Sequence, residues 1–470
     1  MADFYLVTPP STLAVSFNNA AIWANTPGGT GGAGIPGAGD NVFVNQDSAC
    51  LLVDSDWTID NLDMTGSANT ALTNNRFHVE GTANFEISNV VTTGDGRIGH
   101  SGLLTVGTIV GEPFENHSAM SIVFSGGNIG GEIQADDGDI TINGDVTLSS
   151  AIRLNGTSNT LILNANLEGG TFVFGTGAAS RAVTGTGDRT GGITGFSVPI
   201  DATAHTGSFS GQLQPTSHAA NDFNTGGDTT WAGSIRVVSG TFAPTQNWTQ
   251  TGGFLRTDAA GTLDTVTNGV TFNVDDPSFI LINGTVNGPV NIDNPGAEEE
   301  IFGDGTHGDY TLSGGLFRIQ TQAEHTGGNW TVAAGSTLRL QSLDLTLDSL
   351  VVEPGGDVTE NDGTITTTGN MTADGIALSG TTLNIGGTSA FTNTTFENVD
   401  ASGSAAEVEA LPAPGNSNVN ADTDPLSGLS PSNPNVLFLA STFYTAVGVV
   451  DPNGPWEGVT VDGVNALRLR

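Results

Sequence analysis

Lysine is absent from this chain. Its 11 basic residues are all arginine and stand against 49 Asp plus Glu, a formal net charge of −38 on 470 residues. That balance excludes nucleic acid as a partner, because phosphate contact needs clustered Lys or Arg. No apolar run approaches the roughly 18 residues of a spanning helix, so no membrane insertion is expected. A single cysteine, Cys50, rules out an intramolecular disulfide. Its apolar neighbours Ala49, Leu51, Leu52 and Val53 mark it as a small core residue. No stretch of about 12 residues carries a 3.6-residue apolar repeat with helix formers, so very little helix is expected. The first residues also lack the basic region and apolar run of a secretory signal peptide. Three origins remain: a mature fragment with an added Met, export without a signal, or a virion protein released by lysis. The acid excess keeps the molecule soluble and self-repelling, and a saline habitat would screen that repulsion.

Glycine, by contrast, is abundant at 67 residues, about twice the usual share, with no three-residue collagen period. From about 51 to 400 one pattern recurs. Runs of three to five residues alternate an apolar side chain with Thr, Asn or Asp, and Gly or Asn follows each run. Gly138-Asp-Ile-Thr-Ile-Asn-Gly144, Asp145-Val-Thr-Leu148, Thr160-Leu-Ile-Leu-Asn164 and Phe279-Ile-Leu-Ile-Asn283 are examples. Period-two alternation with β-branched residues predicts strands, and Gly or Asn supplies tight corners. Internal echoes add a longer period. Gly328-Asn-Trp-Thr-Val332 returns as Gly369-Asn-Met-Thr-Ala373, and Gly335-Ser-Thr-Leu-Arg-Leu340 returns as Gly380-Thr-Thr-Leu-Asn-Ile385. These spacings predict two turns of a β-solenoid with roughly 20–23 residues per turn. With turns about 4.8 Å apart, the chain would hold roughly sixteen.

Four segments follow from this pattern. Residues 1–50, with Trp23 and a glycine-rich loop, read as an N-terminal cap, and 51–405 as the solenoid. Residues 406–434 are rich in Pro, Ser and Asn and read as a surface loop. Residues 435–470, with Phe443, Tyr444 and Trp456, read as a C-terminal cap. Open solenoid ends would otherwise pair with other chains.

Two terminal motifs carry a resemblance. Trp23 is followed by Pro36-Gly-Ala-Gly-Asp40-Asn-Val-Phe-Val44, and the tail runs Ser441-Thr-Phe-Tyr444 through Gly448-Val-Val-Asp451-Pro to Trp456-Glu-Gly-Val-Thr460. Both resemble the entry and exit segments of extracellular bacterial β-helix surface proteins, although Gly458-Val-Thr460 stands where those have Gly-Trp-Thr. The resemblance covers about 60 residues. It implies an all-β, right-handed parallel β-helix displayed outside a cell. Virion spikes and fibres share that architecture, and it implies no activity.

The chemistry that a β-helix lyase or hydrolase needs is thinly represented. A lyase needs a cation-binding acidic cluster and a strong base, and without Lys only Arg can serve. A hydrolase needs two carboxylates about 5–9.5 Å apart. The richest acidic spots are Asp136, Asp137 and Asp139, with Asp275 and Asp276; Asp136, Asp137, Asp275 and Asp276 read as corner residues beside Gly or Pro. The Asn-Thr-Asp, Gly-His-Gly and Arg-Ile-Lys series of the pectin-degrading β-helix hydrolases does not occur. The seven His show no zinc spacing. His307, in Asp304-Gly-Thr-His307-Gly-Asp309, reads as a polar turn, and Glu298-Glu299-Glu300 as a solvated loop. Structural calcium is the one ion these acidic turns would suit. Gly37-Ala-Gly-Asp40 is a fragment of a calcium-binding repeat that does not iterate. Trp231, Trp248 and Trp330 have polar neighbours and are candidate glycan-stacking rings; burial in the core is the competing reading.

The expectation is a non-enzymatic, structural or adhesive β-solenoid with no catalytic residue and no cofactor. Its most fitting place is outside a particle, as a virus or phage capsid-surface or tail-associated spike. A bacterial or archaeal cell-surface adhesin, fibre or surface-layer protein is the alternative, and a carbohydrate-active β-helix enzyme the third. Partners would be itself, as a homo-oligomer such as a trimer, other assembly proteins, and cell-surface glycans.

Overall fold

A computed structural model describes residues 1–7, 15–44, 50–65, 76–79, 83–93, 97–100, 103–111, 114–116, 121–130, 132–135, 138–155, 159–175, 181–196, 198–216, 218–295, 298–320, 325–341, 343–359, 363–379, 381–397, 404, 408–412, 436–439, 456–461 and 464–469. Strands take 61% of the chain and helix 1%. Among the described residues the helical part is a 3-10 turn, Ala20–Ile22, capped by the Asn19 side chain, which accepts the Ala21 N–H at 3.1 Å.

The fold is a parallel β-solenoid of about 14 turns, slightly fewer than the sixteen expected. The chain forms two compact units, 1–232 with 244–246, and 233–243 with 247–470. In each unit a coil contributes short strands to three parallel ladders, and each strand pairs with its counterpart one coil later. Because a strand sends alternate side chains to opposite faces, parallel in-register stacking turns each inward position into an apolar column. In the first unit one column is Trp57, Phe85, Leu104, Ile122, Ile140, Leu161 and Val183. A second ladder stacks Val42 on Leu62 and Ile129 on Leu148. The third stacks Ile133, Ile152, Phe172, Ile193 and Leu213. In the second unit the columns include Ile235, Leu255, Ile280, Ile301 and Ile319, then Leu345, Ile365 and Leu383. The third is Val274, Ile292, Leu312, Val332, Val352 and Ala373. These residues are buried, and each large apolar one contributes about 1.5–3 kcal/mol.

Corners explain the unusual composition. At one corner of the second unit Gly261, Gly284 and Gly305 follow one another up the coil. A Cβ on Gly284 would stand 2.1 Å from the Gly261 carbonyl oxygen, and one on Gly305 2.2 Å from that of Gly284. Only glycine lets neighbouring coils approach so closely there. Other corners use Asp and Asn as steps. The Asp145 Oδ1 accepts the Asn166 N–H at 3.0 Å, the Asn166 Oδ1 accepts that of Asp188 at 3.0 Å, and the Asp188 Oδ1 accepts that of Ser208 at 2.8 Å. The second unit repeats the device from Asp309 to Asn329, Asp344 to Thr364 and Asn370 to Thr388. A corner N–H turned away from the ladder needs an acceptor, and a short Asx side chain one coil back supplies it.

The terminal segments depart from all-parallel pairing. Asp3–Leu6 pairs antiparallel with Trp23–Ala24 and parallel with Asn41–Phe43. Trp23 is buried, with its Nε1–H donated to the Phe17 carbonyl at 2.9 Å. Phe17 stacks on Trp57 at 4.4 Å, and Trp57 on Phe85 at 4.9 Å. Asp40 closes the entry turn: its carboxylate accepts the N–H groups of Gly37 at 3.0 Å and Ala2 at 2.9 Å. The fragment that resembled a calcium-binding repeat thus has its carboxylate engaged by backbone. Val408–Pro412, read from sequence as loop, is a strand that continues the third ladder of the second unit from Ser389–Glu397. Beyond it, Val436–Leu439 pairs antiparallel with Val464–Leu469, which also pairs antiparallel with Trp456–Val461. Trp456 lies opposite Leu469 there. Phe443 and Tyr444 lie outside the described residues.

Candidate functional site

The candidate glycan-stacking tryptophans are core residues. Trp231, Trp248 and Trp330 are each 0% exposed. Trp231 donates its Nε1–H to the Gly211 carbonyl at 2.9 Å and stacks near Phe209. Trp248 meets Phe242 edge-on at 5.3 Å and lies parallel to Phe272 at 6.2 Å. Trp330 donates to the Gly308 carbonyl at 3.2 Å and packs on Tyr310 at 5.0 Å. No face of these rings is open to a sugar. The polar neighbours that suggested exposure face outward: Asn329, on the strand of Trp330, bonds Asp309 and Ser349, and Asn247, just before the strand Trp248–Thr251, accepts the Thr271 N–H at its Oδ1.

The titratable groups raised by the sequence divide in the same way. His307 is not in an exposed turn; it is buried on Thr306–His307, its Nδ1 3.2 Å from the Tyr310 hydroxyl. Burial pushes the Tyr310 phenol well above its ordinary range. Asp136 and Asp137 lie outside the described residues, while the Asp139 Oδ1 accepts the Thr160 N–H at 2.7 Å. Asp275 ends a strand in register with Asp293, and burial, then the Asp293 charge, raises its carboxyl. Asp276 follows in a turn with φ +50°. Cys50 opens the strand Cys50–Val53.

Arg189 and His205 are among the buried ionisable groups that carry no motif. Arg189, wholly buried, donates from Nη1 to the carbonyls of Gly169 at 2.7 Å, Leu167 at 3.3 Å and Thr190. Its Nη2 reaches Gly170 at 3.1 Å and Gly192 at 3.0 Å, and its guanidinium lies over Phe172 at 5.3 Å. Burial lowers it to about 10. It serves as an internal brace for the glycine corner. His205, also buried, sits against Phe209 with Nε2 2.9 Å from the Gly187 carbonyl; burial lowers its imidazolium.

Glu298–Glu300 belongs to a strand, Glu298–Phe302, not to a solvated loop. Alternation separates the three carboxyls. Glu299 points inward, in register with Phe317, and is 2% exposed. Burial first, then the charges of Asp276 and Glu300, raises it to about 7. Glu298 and Glu300 point outward and meet arginine. Arg318 binds Glu298 at 3.0 Å and also Glu300, and Arg339 reaches Glu298 at 3.4 Å.

These pairs belong to an outer face of the first ladder of the second unit. Two coils earlier the Asp258 carboxylate bridges Arg236 at 2.8 Å and Arg256 at 2.5 Å. Burial alone would raise Asp258, yet bonds and charge from the two arginines hold it below the usual carboxylate range. Between the two ionic groups lie outward-facing Phe254, Phe279, Leu281 and Phe302, all half-buried. Phe254 and Phe279 stack at 4.9 Å and 6°, and Phe279 and Phe302 tilt together at 5.6 Å. The sequence signal for this face was available: large apolar residues at the outward parity of consecutive strands, where neighbouring ladders carry Thr or Asn.

Comparison with protein-family models, with curated proteins and with solved structures finds no match to this chain.

Proposed function

We propose that this chain is a non-enzymatic structural or adhesive β-solenoid displayed on the outside of a particle, as a virus or phage capsid-surface or tail-associated spike. One observation carries the reading: the polar side chains at the coil corners are engaged in holding coil to coil. Asp145, Asn166 and Asp188 each accept a backbone N–H one coil on, and Asn143 with Asn164, or Asn273 with Asn291, bond side chain to side chain across coils. Such a surface is regular, acidic and internally braced, as a load-carrying or displayed element requires. The acid excess favours solubility outside a cell. In this reading the chain assembles as a homo-oligomer, a trimer being one form, and docks onto other assembly proteins. Contact with cell-surface glycans would use outward polar faces and not the buried tryptophans. No cofactor is required.

Immunogold labelling of intact particles and of cell-envelope fractions tests the placement. Label on capsids or tails supports it; label confined to the envelope favours the cell-surface adhesin, and label confined to the cytosol overturns both. New reducing ends or unsaturated products from acidic polysaccharides would overturn the non-enzymatic part.

A further inference from the structure

Asp276 holds a backbone conformation that the same corner gives to glycine on other coils. Thr251, Asp275, Asp293 and Ser313 stack in register, and the next residue on each coil is Gly252, Asp276, Asn294 and Gly314. Gly252 has φ +68°, Gly314 +88° and Asp276 +50°. A side chain is strained there, and the following Pro277 presses its neighbour toward extended backbone. The corner is also short. Five positions separate Asp275 from Ile280, against eight between their partners Asp293 and Ile301 one coil on.

Both flanks of the Asp276–Pro277 peptide are tied down. The Asp276 N–H donates to the Asp293 carbonyl on the coil after at 2.7 Å, and the Ser278 N–H to the Gly253 carbonyl on the coil before at 2.5 Å. Asp276 is exposed and Pro277 buried, so the bond crosses the wall of the solenoid. On the inner side stands Glu299. Ile280 pairs with Ile301, and two residues upstream on these strands are Ser278 and Glu299, one coil spacing of about 4.8 Å apart. Glu299 is buried, and its Oε1 has no hydrogen-bond partner among the described residues. The charges that act on it are Asp276 on the coil before and Glu300 on its own strand. Arg318, on the coil after, is engaged by Glu298 and Glu300 on the outer face.

We infer that the chain cuts its own Asp276–Pro277 bond, with Asp276 as nucleophile and Glu299 as proton donor. An Asp276 carboxylate oxygen attacks the carbonyl carbon of its own residue and closes a cyclic anhydride. The C–N bond to Pro277 breaks, and the Glu299 proton passes to the Pro277 nitrogen, which leaves as a secondary amine. Water opens the anhydride, restoring the Asp276 side chain and leaving a new α-carboxylate. Of the two protons released, one returns to Glu299 and the other goes to the amine. Cleavage relieves the strain at Asp276. Burial keeps Glu299 protonated up to about 7, so the acid is in hand at mildly acidic and neutral pH. The pieces stay wound together, because the ladders on either side of the cut still pair: Asp275 with Thr251 and Asp293, Ile280 with Leu255 and Ile301. The cut happens once per chain and does not depend on where the protein is displayed.

The full chain would be incubated at pH 6 and at pH 9, denatured at intervals and weighed by intact mass spectrometry. Pieces spanning 1–276 and 277–470 are expected to accumulate, more slowly at pH 9. Asp276→Asn keeps a side chain that tolerates positive φ and should abolish the cut. Glu299→Gln should slow it at least about hundredfold. Circular dichroism confirms that each variant keeps its β-sheet signal. A wild type that stays intact overturns the inference, as does a cut that runs equally fast in urea-unfolded chain or in Asp276→Asn. Glu299→Gln cutting at the wild-type rate, or a rate no slower at pH 9, overturns Glu299 as the donor.

Discussion

Glu299 offers a quantitative test of the solenoid interior. Its side chain enters the core of the second unit, beside Phe317 and within reach of the charges of Asp276 and Glu300. Raising a glutamate from its ordinary 4.5 to about 7 corresponds to roughly 3 kcal/mol against the ionised form in the folded state. The sign follows from proton linkage. Below pH 4.5 the carboxyl is protonated whether the chain is folded or not, and no penalty arises. Between that pH and about 7 the unfolded chain alone loses the proton, so stability falls as pH rises. Above that window the full penalty is present. Replacing the carboxyl with an uncharged isostere, Glu299→Gln, should leave stability at pH 4.5 nearly unchanged. At pH 8 it should stabilise by about 2 kcal/mol, after allowing for burial of the amide. Urea is the suitable denaturant, because guanidinium would screen the acid excess. Long repeat arrays need not unfold in one step, so hydrogen exchange of Phe279–Ile282, Glu298–Phe302 and Leu316–Ile319 gives the local readout. Global charge repulsion also weakens with acid, but it acts on wild type and variant alike. A variant effect of equal size at the two pH values, or destabilisation at pH 8, would refute this account of the interior.

Other positions test the packing. Gly284→Ala forces a Cβ to within 2.1 Å of the Gly261 carbonyl oxygen and 2.3 Å of that of Asp258, and should cost about 3 kcal/mol or more in urea denaturation. Gly375→Ala, with open space around its Cβ and φ +82°, should cost only about 1–2 kcal/mol. Arg189→Met removes the donor shared by the carbonyls of Leu167, Gly169 and Gly170 and should lower stability by about 3 kcal/mol in thermal unfolding. Trp330→Phe loses the bond to Gly308 and should destabilise by about 2 kcal/mol. On a glycan array this variant should behave as wild type.

Much of the architecture was legible because parallel stacking imposes period two on the chain directly. Ile140–Ile142, Val146–Leu148 and Phe279–Ile282 are strands where the alternation predicted them. The longer period was legible only in part. Gly328–Val332 and Gly369–Ala373 are true echoes: Trp330, Leu350 and Met371 stack in one column, two coils apart end to end. The other echo misleads. Thr337–Arg339 belongs to the first ladder and Thr382–Ile385 to the second, because similar strand chemistry serves every side of the coil. Side-chain direction was the weakest reading. Trp248 and Trp330 have polar sequence neighbours, yet on a strand a neighbour points the opposite way. Arg189 was invisible for a related reason, since its acceptors are backbone carbonyls brought together only by winding.

The Asx steps at the corners have an evolutionary consequence. Asp56 reaches Asn84 across 28 positions, while Asn370 reaches Thr388 across 18, with the same bond from side chain to backbone N–H. A coil can therefore swell by several residues on one side and still present its corner to the next. Growth by duplicating coils, and diversification by inserting loops between fixed landing points, would leave the stacking core untouched. Sequence can drift freely in such a molecule while its winding persists.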